Sequence, residues 1–189
     1  METITTDTKD IERAIRTIIR YIGDDPEREG LLGTPDRIIR MWKEIFRGYD
    51  PAQKPHITTF TNEMQSNDIV FDSGDFYSMC EHHLVPFFGE AGIAYLPAKH
   101  GVAGFSKFTR LVEVISRRPQ LQERMTTQIA EAVARDLHAE GVLVVVEAQQ
   151  LCMMMRGDAA HGARTTTNAV LGRLKEDAGL REQAMALLL

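Results

Sequence analysis

Cys80-Glu81-His82-His83 sets a thiol and two imidazoles within four residues, and Cys152 supplies a second thiol far along the chain. Thiolate and imidazole are ligands that zinc prefers. Side chains alternate along a regular strand, so Cys80 and His83 would point to opposite faces. Joint ligation therefore demands a bend near Glu81 and His82, and Pro86 marks an interrupted strand close by. Cys80, His83 and Cys152 together make a three-ligand site, in which tetrahedral zinc keeps a fourth position for water or substrate. Water activated there is a nucleophile for a carbon between two nitrogens. His82, a poor co-ligand next to His83, is placed to move a proton. On spacing alone a second reading stays open: two small buried cysteines and two surface histidines.

Basic residues recur in short pairs, Arg37 with Arg40 and Lys107 with Arg110, followed by Arg156 and Arg164. At i, i+3 spacing both members of a helical pair share a face, which either grips a polyanion or is simply solvated. Gln122-Glu123 falls near a predicted helix start. A carboxylate there accepts from two adjacent donors or complements the helix dipole. Met153, Met154 and Met155 are expected to fill core space beside the site.

The elements that must position these groups are legible in periodicity. Ile11, Ala14, Ile15, Ile18, Ile19 and Ile22 form the stripe of an amphipathic helix ending near Gly23. A second helix opens at Thr34 as cap with Pro35 in its first turn and stops by Gly48. From about Ile57 the runs ITTF, DIVFD, FYSMC and FFGEAGIAYLP read as antiparallel strands. Ser106 caps a predicted helix to about Ser116, and Pro119 opens a longer one closed by Gly141. VLVVVEA is too apolar for a strand with one solvated face. A last strand over 164–170 and a helix from about Glu176 complete an α+β pattern with an antiparallel sheet, helices on one face and no linker.

The chain has 189 residues, 43% hydrophobic and 26% charged, with 22 Lys plus Arg against 27 Asp plus Glu. That is a globular composition with a formal charge of −5, which leaves no overall footprint of a nucleic-acid or acidic-membrane binder. No apolar run approaches the length of a spanning helix, and residues 1–10 are polar, so a cytoplasmic protein is expected. There metal ligation or burial is the more ordinary use of two cysteines than a disulfide.

Four stretches in this order, TPDRIIRMWKEIF, SMCEHHLVPFFGEAGIAYLP, GFSKFTRLVEVISRRPQLQER and VVVEAQQLCMMMRG, resemble GTP cyclohydrolase I over residues 30–172. The resemblance implies a tunnelling fold: an N-terminal helical extension over 1–50, then a catalytic part over 51–189 whose strands close a barrel across subunits. It implies a homo-oligomer, a decamer with active sites between subunits, and conversion of GTP to 7,8-dihydroneopterin triphosphate and formate. By motif position Cys80, His83 and Cys152 would hold Zn2+, and His82 would protonate the imidazole ring of the base as water adds at C8. Gln122 and Glu123 would read the guanine. Ser106, Lys107, Arg110 and Arg156, with Arg37 and Arg40 from a neighbouring subunit, would take the triphosphate.

The family carries a second catalytic histidine two residues before its last zinc cysteine, and here that place is Gln150. An amide forms hydrogen bonds but has no pKa in the working range. Two alternatives follow: a reaction that stops at a formamidopyrimidine nucleotide, or a GTP-binding paralogue without turnover. His161 is a candidate substitute acid. Phe105, Asp158 and Ala163 are further departures from the family pattern.

Overall fold

Stripes of isoleucine at helical spacing make an independent small core in the first of two compact units, Met1–Arg47 and Gly48–Leu189. The structure, a computed structural model, describes residues 7–53, 57, 59–61, 68–98, 102–104, 106–156 and 162–188; Phe105, Asp158 and His161 lie outside them. In the first unit α1 (Thr8–Tyr21) is capped by Asp7, whose side chain accepts from the Lys9 N–H at 3.0 Å. It ends before Gly23 at φ +95°. Helix α2 spans Thr34–Ile45. Ile15, Ile19 and Ile39 are buried between the two helices. The expected cap at Thr34 is corrected by one residue: Gly33 is the cap, without a side-chain bond, and Thr34 and Pro35 open the helix.

The second unit is built on five strands in the order β5-β2-β3-β6-β7: β2 (Val70–Cys80), β3 (Pro86–Leu96), β5 (Pro119–Gln120), β6 (Gly141–Gln150) and β7 (Thr165–Gly172). A small ladder joins β1 (Thr59–Phe60) to β4 (Val102–Ala103). All pairs are antiparallel except β2 with β5, which run parallel for two residues. DIVFD and FYSMC, expected as separate strands, are one strand: Gly74 stays in register opposite Ala91, and ladder pairing outweighs the local punctuation.

Helices α3 (Ser106–Ser116) and α4 (Gln122–Leu137) cover one face. Their Phe108, Leu111, Met125, Ile129, Val133 and Leu137 pack on Phe76, Phe87, Ile93 and Tyr95 of the sheet. Side chains of this kind each stabilise by roughly 1.5–3 kcal/mol when fully buried. Helix α4 starts at Gln122 rather than at Pro119, because Pro119 and Gln120 are taken up in the bridge to Met79 and Cys80. It ends on His138 at φ +50°, not at Gly141, which opens β6 where a Cβ would lie 2.9 Å from the Leu174 nitrogen.

The expectation of helices on one face holds for α3 and α4 and needs one addition. Helices α6 (Arg173–Glu176) and α7 (Ala178–Leu188) lie on the other face, where Leu174 and Ala184 pack against Ala94, Leu96, Leu143 and Val145. The physical reason is β6 itself: Val142, Val144 and Val146 face α3 and α4, whereas Leu143 and Val145 face away, so both sides of this strand require cover.

Candidate functional site

Cys80 is the last residue of β2, and the chain reverses directly after it. Its N–H donates to the Val85 carbonyl at 2.9 Å, its carbonyl accepts from the Leu84 N–H at 2.8 Å, and Leu84 takes φ +50°. This is the bend that joint ligation demanded, and it brings His83 Nδ1 to 3.8 Å from Cys80 Sγ. Cys152 arrives by sheet register: β6 ends opposite the start of β3, with Phe87 facing Gln150, and the single turn α5 (Leu151–Met154) carries the cysteine inward. One ligand atom each from Cys80, His83 and Cys152 lie within 4.8 Å of one another. Two ligands at 2.0–2.3 Å from a tetrahedral ion stand roughly 3.3–3.8 Å apart, so the pair of Cys80 and His83 fits such a centre.

Burial pushes the Cys152 thiol up, and the neighbouring Cys80 sulfur pushes it further. Two adjacent thiolates repel, and a divalent cation between them reverses that penalty. The donor set and its electrostatics therefore both suit a metal. Cys80 is buried, Cys152 half-buried and His83 exposed, so the cluster opens to one side.

The reversing turn is tied down from α4 by residues that sequence reasoning passed over. Glu81 forms an ion pair with Arg124, whose guanidinium also donates to Gln120 Oε1 at 3.0 Å, and the Glu81 N–H donates to the Gln120 carbonyl at 3.1 Å. The Arg124 guanidinium holds the Glu81 carboxyl below the usual carboxylate range. Gln120 and Arg124 stand at i, i+4 spacing but some forty residues after the cysteine motif, so no local pattern linked them to Glu81. His82 is exposed on this turn, its ring centroid 6.1 Å from that of His83 and nearly perpendicular to it at 84°.

Gln150 sits beside the cluster with its amide engaged. Its Nε2 donates to Gln122 Oε1 at 2.8 Å, and its Oε1 lies 3.8 Å from Cys152 Sγ. Gln122 is buried and donates both amide hydrogens to backbone carbonyls, Val146 at 3.0 Å and Thr165 at 2.8 Å. Both amide hydrogens of Gln122 are thus occupied within the protein, and its Oε1 holds Gln150. Glu123, next along α4, is exposed. Arg156 reaches the cluster, with Nε donating to the Cys152 carbonyl and Nη2 contacting His83 Nε2, both at 3.1 Å.

Within the second unit, Lys107 and Arg110 stand apart from the cluster. Ser78 Oγ donates to the Ser116 carbonyl at 2.7 Å, so the C-terminal end of α3 stands near Cys80. Ser106, Lys107 and Arg110 occupy the opposite end, where Phe108 and Thr109 line a crevice with Asp72, Ser73 and Gly74. Six residues of strand separate Gly74 from Cys80, about 20 Å, so one chain does not bring Lys107 and Arg110 to the cysteines. Arg37 and Arg40 are exposed on α2 in the first unit, and Arg40 pairs with Asp36 at 3.0 Å. Met153 and Met155 are 47% and 65% exposed, which corrects the core-filler expectation, because α5 is a single turn at the sheet margin.

Fold and site together define an α+β protein with a Cys-His-Cys group suited to a divalent metal. Its sequence matches the family described as GTP cyclohydrolase I over residues 11–189. It is 47% identical over 175 residues to GTP cyclohydrolase 1 of Bacillus subtilis (strain 168), covering 93% of this chain and 92% of that protein. The enzymes of the same name from Geobacillus kaustophilus (47% over 178 residues, 94% and 95% covered) and Carboxydothermus hydrogenoformans (46% over 182, 96% and 95%) are similarly close. The chain belongs to the GTP cyclohydrolase I family and is an enzyme of that type.

Proposed function

We propose that this enzyme opens the imidazole ring of GTP at C8 and forms 7,8-dihydroneopterin triphosphate and formate, with zinc held by Cys80, His83 and Cys152. The convergence of those three ligand atoms within 4.8 Å carries the reading. Zinc bound there supplies Lewis acidity and lowers the pKa of water. His82, exposed beside the ligands, delivers a proton to the ring nitrogen that becomes the leaving amine. Gln122 and Glu123 read the guanine, Glu123 accepting from the adjacent N–H donors of its edge, and the Gln122 side chain also keeps Gln150 in place. Ser106, Lys107, Arg110 and Arg156 take the triphosphate, with Arg37 and Arg40.

Because Lys107 and Arg110 stand far from the cysteines of their own chain, a complete site requires a second copy. The sheet supports this: β7 is an edge strand, and among the described residues β2 is paired on its outer side only at Met79 and Cys80. Open edges of this length are ready templates for another chain. A homo-oligomer with a barrel closed across subunits, a decamer in our reading, satisfies both needs. Among the described residues no helix is long and apolar enough to cross a membrane, and two free cysteines suit the reducing cytoplasm in which we place the enzyme.

The amide tied at Gln150 favours a second reading, in which ring opening proceeds and later proton transfers fail, so that a formamidopyrimidine nucleotide triphosphate is released. Incubating zinc-loaded protein with GTP separates the outcomes. Formate plus a pterin fluorescent after oxidation supports the full reaction. A changed ultraviolet spectrum without formate supports the truncated one, and bound but unchanged GTP supports a silent paralogue.

A further inference from the structure

Arg156 makes a contact that a metal on His83 cannot tolerate. A guanidinium carries only N–H donors, so the 3.1 Å approach of Arg156 Nη2 makes His83 Nε2 the acceptor. The other ring nitrogen, Nδ1, faces Cys80 Sγ. If a metal takes the Nδ1 lone pair, the neutral ring carries its hydrogen on Nε2, and two N–H groups then confront each other. If a metal takes Nε2 instead, the guanidinium stands in the metal's place. By either route metal ligation and the Arg156–His83 hydrogen bond exclude one another. The second anchor of Arg156, from Nε to the Cys152 backbone carbonyl, involves no ligand atom and keeps the stem of the side chain at the site. Its outer end, which is exposed, is then able to turn toward another acceptor.

We propose that Arg156 links metal binding to anion binding: loading the Cys80-His83-Cys152 group releases its guanidinium from His83, and the released guanidinium grips a phosphate-like anion. The inference rests on the zinc reading above and concerns the regulation of that same site. Linkage is reciprocal, so an anion that draws Arg156 away must tighten metal binding by the factor with which metal tightens the anion.

The test is Zn2+ titration of the full-length protein against a chromophoric chelator, with sulfate as the anion because it chelates zinc only weakly. Arg156→Ala should bind zinc roughly three- to tenfold more tightly than the parent, the worth of one hydrogen bond that no longer competes. Sulfate should tighten zinc binding in the parent and leave Arg156→Ala unchanged. Repeating the titration in about 0.5 M NaCl screens through-space repulsion between the arginine and the ion, and the gain should persist. Arg156→Met, which keeps the apolar stem, carries the same arms if the alanine variant does not fold by circular dichroism. Zinc affinity equal to or below that of the parent, a gain that vanishes in salt, or an equal response of both proteins to sulfate overturns the linkage. Cys152→Ala separates the two levels: undiminished zinc binding in that variant sinks the zinc reading itself, whereas lost binding there beside an unaltered Arg156→Ala sinks the linkage alone.

Discussion

Each of the two residues beside the Cys-His-Cys group has a chemistry that substitution isolates. His82 touches no ligand atom, so His82→Ala should keep its zinc by elemental analysis and lose about 10²–10⁴ in turnover, the usual worth of one general acid or base. Gln150 donates to Gln122 through an amide hydrogen, and a histidine N–H can do the same, so Gln150→His should fold with near-parental stability. If the parent stops at a ring-opened product, that variant should release formate and pterin; if the parent already does so, its product should not change. Gln122→Ala strips donors from the Val146 and Thr165 carbonyls and an acceptor from Gln150, and should lower stability by about 1–3 kcal/mol in chemical denaturation.

At the scale of elements, the turn between β2 and β3 is what brings His83 to Cys80, and Glu81 fastens it to α4. The Glu81 carboxyl titrates below its ordinary value of 4.5 because Arg124 bonds it. A carboxylate with a depressed folded-state value stabilises fully above its unfolded value and loses that contribution as pH falls through the folded one. The stability difference between the parent and Glu81→Gln should therefore be present at neutral pH and shrink below about pH 4, as followed by thermal unfolding. A difference that is constant across that range would mean the carboxylate charge plays no part. Much of this scale was legible beforehand: α1, α3 and β6 fall close to their predicted positions because their apolar patterns are long, and β7 does so through its β-branched Thr165, Thr166 and Thr167. The join of two predicted strands into β2 and the late start of α4 were not, because both arise from pairing with residues remote in sequence.

For the whole molecule, the separation of Lys107 and Arg110 from the cysteines makes complementation the sharpest prediction. Neither Cys152→Ala nor Lys107→Ala should turn over GTP at an appreciable rate alone. Mixed and reassembled in equal amounts, they should recover roughly a quarter of the parental rate if each site takes its cysteines from one copy and its lysine from another. No recovery, with mixed oligomers verified by mass spectrometry, would place the site within one chain. Sedimentation should likewise show an assembly rather than a monomer, because β7 and, among the described residues, most of β2 present strand edges on which another chain can pair.

By itself the sequence determined the ligand types, the order of helices and strands, and the demand of β6 for burial, because these follow from side-chain chemistry and short-range periodicity. Only the tertiary structure decided which groups meet. The register of β3 with β6 delivers Cys152 to Cys80, the turn at left-handed Leu84 brings His83 to Cys80, and the start of α4 sets the Gln122 side chain against the Val146 and Thr165 carbonyls. Those outcomes depend on where distant segments come to lie, and no local pattern encodes a distance across a sheet.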